Sequence, residues 1–233
     1  MGMFLKFIRR WDVNTQVVLK TPNSTEIGAT GTALYGGIIN EEYNNDLKGL
    51  KFFKVMDQMR KGDGTIQAML SAISLPIRAS RWVVESASNS NKDKLVAAFV
   101  DKCLGISQTS DMSHTWDKLL IEILWFLVYG FQIFEKVWKV EDFNGKVGGR
   151  KKFLPNMVKL KKLAYRASQT IYKWKQDDNG GLAGVTQLVT NGGTYLNVDI
   201  PVDKLVLFVN NQEGSNFSGI SLLRSSYKSW FFK

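Results

Sequence analysis

The chain has 233 residues, enough for one sizeable core or two small ones, and its 44% hydrophobic and 22% charged content excludes a wholly disordered polymer. One cysteine excludes an intramolecular disulfide, and one histidine with one distant cysteine, His114 and Cys103, lacks the ligand spacing of a zinc site. The formal charge is +10. All of that excess lies in residues 146–175, where Lys146, Arg150, Lys151, Lys152, Lys159, Lys161, Lys162, Arg166, Lys173 and Lys175 occur with no Asp or Glu. A localised basic segment points to a polyanion, either nucleic acid or an anionic surface.

In chain order, the apolar run in MGMFLKFIRRW is too short for a signal-peptide core, and position 6 is Lys rather than the Ser or Thr of a myristoylation pattern. Residues 1–48 are rich in Gly, Asn and Thr without a helical period, which predicts an extended N-terminal arm. Residues 49–61 place Leu50, Phe53, Val55 or Met56, and Met59 at helical spacing. Asp63 is placed to cap a second helix over 65–75, ending before Pro76. RWVVE reads as a short strand, and 92–104 as a third amphipathic helix that buries Cys103.

A long helix is expected from 114 to 129, with Trp116, Leu119, Leu120, Ile123, Leu124, Leu127 and Val128 on a broad apolar face and Gly130 as its stop. The stretch 119–134 contains Glu122 and Gln132 and is too short to span a bilayer. The period then changes to two. Asn144-Gly145, Asn179-Gly180 and Asn191-Gly192 read as hairpin turns between strands that continue to about 209, and 219–233 reads as a final helix. Helices, then a meander, then a helix, without βαβ alternation, predict an α+β fold with antiparallel strands.

Catalytic material is sparse. Residues 214–221 (GSNFSGIS) lie between a strand and a helix like a phosphate loop, but Ile220 stands where such a loop needs Lys. Glu41/Glu42, Asp142 and Asp177/Asp178 sit in polar, turn-like contexts. Glu135, beside Phe134 and Trp138, is read as the partner of a nearby cation or as solvent-facing rather than as a general acid. No catalytic residue, metal ligand or cofactor is assigned. In VKLKKLAYR, simple alternation puts Lys159, Lys161 and Leu163 on one face and Val158, Leu160 and Lys162 on the other. With Tyr165, Tyr172 and Trp174 nearby, this segment has the basic and aromatic character of a sequence-neutral nucleic-acid surface. A solvated sheet face and a protein partner remain alternatives.

Several stretches resemble the start of tailed-phage portal proteins, the Mu-like branch in particular. These are YGGIINEEYNNDLKG; KVMDQMRKGDGTIQAMLSAISLPIRASRWVVE, with Pro76 through Trp82 to Glu85; Tyr129-Gly130 leading to Glu135 and Trp138; and Gly219-Ile220-Ser221-Leu222-Leu223-Arg224 followed by Tyr227 and Trp230. The similarity spans about residues 33–233.

It implies a portal wing-like arrangement: an arm over 1–48, a helical wing part over 49–140, a β-rich part over 141–210, and over 211–233 the start of a wing-to-stem helix in a chain that stops short of stem and clip. It implies a structural protein and not an enzyme, a subunit of a homo-oligomeric ring, expected to be a dodecamer. The expected setting is one capsid vertex of the virion, with assembly in the host cytoplasm. Double-stranded DNA, terminase, the major capsid protein and head–tail adaptors are the expected partners, with no membrane. The residues expected to face nucleic acid or a partner are Arg150, Lys151, Lys152, Lys159, Lys161, Lys162, Lys173 and Lys175. The competing expectation is a phage enzyme with a basic groove, a metal-dependent nuclease or small NTPase.

Overall fold

The structure is a computed structural model that describes residues 30–32, 34–107, 110–147 and 150–233. The arm expected over 1–48 therefore falls largely outside the described residues. Its described part forms a two-stranded ribbon, β1 (Leu34–Tyr35) and β2 (Ile38–Ile39), and then runs along the chain's own C-terminal segment.

The α+β class holds. Helices α1 (Gly49–Gly62), α2 (Gly64–Ala79) and α3 (Asn91–Leu104) follow the apolar periodicity. Asp63 caps α2 as its position predicts, accepting from the amides of Thr65 and Ile66. That helix does not stop before Pro76 but carries it in its last turn at the cost of one backbone hydrogen bond, and Ser80 closes the end by donating to the Pro76 carbonyl. RWVVE is not a strand: it has no pairing partner among the described residues, and Trp82 instead folds back to donate to the Ile77 carbonyl and to pack edge-on against Trp116.

The helix expected over 114–129 is broken into α4 (Trp116–Ile123) and α5 (Trp125–Tyr129), because Leu124 flattens to ψ −10° and Leu127 bonds back to it in a tighter turn. Gly130, at φ 84°, ends α5. A Cβ there would fall 2.5 Å from the Ser218 carbonyl oxygen, so glycine is required both by conformation and by close approach.

Two three-stranded antiparallel sheets follow. The first has the order β4-β3-β8, with β3 (Phe131–Val147), β4 (Arg150–Arg166) and β8 (Leu205–Val209). The second has the order β5-β6-β7, with β5 (Ile171–Gln176), β6 (Leu182–Asn191) and β7 (Thr194–Pro201). The strands are thus not a single meander, since β8 returns to pair with β3.

Asn144-Gly145 is not a turn. It lies inside β3 and pairs with Phe153 and Lys152, so the hairpin continues to Val147 and Arg150. The β6–β7 turn is Gly192-Gly193, both at positive φ, one residue later than the Asn-Gly pattern suggested. At the C-terminus the expected helix shrinks to a 3-10 turn and α6 (Tyr227–Phe231), because 214–223 is held in turns against Asn210, Leu127 and Val128.

Three apolar clusters join these layers. Met56, Met59, Ile66, Val128, Leu223 and Tyr227 hold the helices to the C-terminal segment. Phe131, Ile133, Leu205, Trp174, Val185 and Ile200 pack the two sheets together. Leu119, Phe134 and Met112 place α4 on the first sheet. Cys103 is buried, which pushes its thiol up, in keeping with a small core residue.

Candidate functional site

The first sheet positions most of the basic segment. β3 and β4 are each 17 residues long, so the hairpin extends over on the order of 50 Å at about 3.3 Å per residue. Near its tip Val147 faces Arg150, Lys146 faces Lys151, and Gly145 faces Lys152. Lys146, Arg150, Lys151 and Lys152 are all exposed and form no ion pair among the described residues. Four cations in so small an area repel one another, a cost offset only by a counter-charge from outside the chain or by solvent ions.

The middle of β4 departs from simple alternation. Val137 pairs with Lys162 but Trp138 pairs with Leu160, so Lys161 is a bulge. Its carbonyl accepts from the Ser113 amide, which docks the loop after α3 on the strand edge. The extra residue puts Leu160 and Leu163 in the same apolar cluster with Leu119 and Phe134, and Leu160 and Lys162 on opposite faces instead of sharing one.

Lys159 is an internal residue, only 2% exposed. Its ammonium lies 2.8 Å from Asp111, 3.4 Å from Glu141 and 2.6 Å from the Asp142 carbonyl. Lys102 and Lys139 extend the network, at 3.9 Å from Asp111 and 2.7 Å from Glu141. Burial disfavours the Lys159 ammonium, but the Asp111 and Glu141 carboxylates outweigh it and hold its pKa above the ordinary lysine value.

Lys173 and Lys175 lie on the other sheet. Lys175 pairs with Asp199 at 2.6 Å, and the Lys173 ammonium stands over the Tyr172 ring with its stem against Gly37. The eight residues therefore separate into an exposed tip (Arg150, Lys151, Lys152), a mid-strand pair (Lys161, Lys162), an internal lysine and two lysines on a different sheet.

The hairpin also carries an apolar surface that the sequence analysis did not single out. Trp138 (53% exposed), Val140 (66%) and Val158 (59%) are adjacent, with Val140 and Val158 directly paired. The signal for it was present: both partners at one register position are apolar, and three of their four chain neighbours are charged.

Most of the acidic candidates are engaged in holding the fold, while Asp178 is exposed. Glu42 forms a bidentate pair with Arg224 at 2.5 and 2.8 Å. Asp142 accepts from the Asn156 amide, and Asp177 accepts from the amides of Asn179 and Gly181. Glu135 pairs with Arg166, the structural role expected of it. The phosphate-loop-like segment is filled by its own chain: Ser215 bonds to Thr30 and Gly180, Asn216 to Glu41, and Ser221 to the Val128 carbonyl. Among the described residues no three His, Cys, Asp or Glu are grouped to hold a metal ion, and no helix is long and apolar enough to cross a membrane.

The structure presents a long basic hairpin resting on helices, and comparison with known families decides what it belongs to. The family described as portal protein of Mu bacteriophage matches residues 53–233, more than three-quarters of the chain. The chain belongs to the Mu bacteriophage portal protein family. The match covers α1 from Phe53 onward, the other five helices and both three-stranded sheets, so the whole hairpin lies within it. The resemblance to this family is thus confirmed over residues 53–233.

Proposed function

We propose that this portal protein is a subunit of a closed homo-oligomeric ring, the head–tail connector at one capsid vertex, and that the ring forms the channel through which double-stranded DNA enters during packaging and leaves during ejection. The observation that carries the proposal is the family match over 53–233. Twelve copies are the expected number. Terminase, the major capsid protein and head–tail adaptors are the expected partners, in the virion and, during assembly, in the host cytoplasm.

Ring closure requires heterologous contacts, in which one surface of a subunit meets a different surface of the next. DNA that slides must be met through its phosphates, without base readout. An exposed basic side chain with no ion pair suits such contacts, and among the described residues in the middle of β4 Lys161 answers to that description, with the half-buried Lys162 beside it. Lys159 and Lys175 are not candidates, since each neutralises carboxylates within the chain. The role needs no catalytic residue.

Negative-stain imaging of the full-length gene product tests this reading. Rings with an open centre are expected, and a subunit that stays monomeric at all concentrations overturns it.

A further inference from the structure

We infer that the tip of the β3–β4 hairpin docks on a second copy of this chain, against the corner formed by the β1–β2 ribbon, the β5–β6 turn and the 212–216 loop. The inference rests on the ring assembly proposed above and names the two surfaces that meet.

The hairpin presents two unsatisfied features. Its tip holds Lys146, Arg150, Lys151 and Lys152 with no ion pair among the described residues. Below the tip lies the exposed apolar patch of Trp138, Val140 and Val158. A charged tip beside an apolar flank is the composition of a protein interface rather than of a phosphate-tracking surface, where the apolar part has no partner.

The far end of the molecule is its complement. Ser215 bonds to the Gly180 carbonyl and Asn216 to Glu41, which ties three segments into one corner. That corner exposes Glu41, Asp177, Asp178 and Glu213, and the stem of Lys173 lies against Gly37 of the ribbon turn. Tyr35 and Ile38 of the ribbon are exposed beside it. The corner packs through Trp174 on Phe131, the first residue of β3, whereas the basic tip is at the last residue of that 17-residue strand.

The complementary surfaces are therefore separated by the length of the hairpin and cannot meet within one subunit. Between copies they join head to tail, the kind of contact that propagates around a ring. Opposite charges there set the register, and like charges oppose it.

The test is a charge swap in the full-length gene product, with assembly followed by mass photometry. Lys151→Glu with Lys152→Glu raises the subunit concentration needed for half-assembly by more than about tenfold, and so does Asp178→Lys with Glu213→Lys. Each variant alone puts like charges in contact. Mixed, the two restore rings, because each tip then meets an oppositely charged corner. All four positions are exposed, and unchanged thermal unfolding confirms that each variant is folded.

Rings that persist in both variants overturn the contact but leave the portal reading intact, as does loss of affinity for a short DNA duplex without loss of rings. Impaired assembly that mixing does not restore also overturns it. A wild-type protein that never assembles overturns both readings.

Discussion

The Phe143 ring occupies the space in which a side chain at Gly145 would stand: a Cβ on Gly145 would fall 2.2 Å from the tip of the ring. Phe143 is fully buried and packs edge-on against Phe99 of α3, with ring centroids 5.4 Å apart. The glycine thus serves packing inside a strand, and the hairpin is anchored to α3 just below its basic tip.

Gly145→Ala is expected to displace that ring and destabilise the fold by about 1–3 kcal/mol, the usual cost of overpacking a filled core. Urea unfolding measures it. A variant as stable as the parent contradicts the anchoring role.

Lys159 is expected to behave unlike the other basic residues. Lys159→Met removes the central cation of the network and leaves the mostly buried Asp111 with only Lys102, at 3.9 Å, so it should cost about 2–3 kcal/mol at neutral pH, whereas Lys151→Ala at the exposed tip should change stability by no more than about 0.5 kcal/mol. Because the folded pKa of Lys159 is raised, its contribution is complete below the unfolded lysine value of about 10.4 and is lost as pH rises through the folded value. The difference between parent and Lys159→Met should therefore hold across neutral pH and narrow only in strong alkali. Equal costs at both positions sink the distinction.

The Glu42–Arg224 pair holds the segment after the ribbon to the C-terminal turn, 182 residues away. Burial opposes ionisation of Glu42, but the Arg224 guanidinium and the Asn44 amide outweigh it and hold the carboxyl below its ordinary range. A depressed carboxylate contributes stability above its unfolded pKa of about 4.3 and loses it as pH falls through the folded value. Glu42→Gln should cost about 1–2 kcal/mol at pH 7, and the difference from the parent should shrink as pH falls below about 4. A pH-independent difference excludes the ion pair as its source.

Gly219 and Gly130 meet backbone to backbone. A Cβ on Gly219, at φ 55°, would fall 2.5 Å from the Gly130 carbonyl oxygen and 2.4 Å from that of Asn210. Gly219→Ala should lower stability by more than about 2 kcal/mol, through strain at a left-handed position as well as collision with rigid backbone. Thermal unfolding decides it, and a neutral effect contradicts the close approach.

The helical period of 49–61 and 92–104, the Asp63 cap and the Gly130 stop were legible in the sequence because each depends on residues within a few positions. The errors came from tertiary context. Asn144-Gly145 has a strong local turn signal, yet the glycine is there to admit the Phe143 ring. The bulge at Lys161 reverses which of its neighbours share a face, and alternation alone cannot reveal it. Lys159 is indistinguishable by type from Lys161 and Lys162, and its burial follows from Asp111, 48 residues distant, and from Glu141. The position of the acidic corner likewise depends on contacts between segments up to 175 residues apart.

The central claim is that this portal protein assembles into a ring through directional contacts between unlike surfaces. Negative-stain imaging of the full-length gene product, with mass photometry on the same sample, tests it most directly. Closed rings of one subunit number with an open channel are the predicted result; a monomer, or a dimer with two-fold symmetry that does not grow with concentration, contradicts the account.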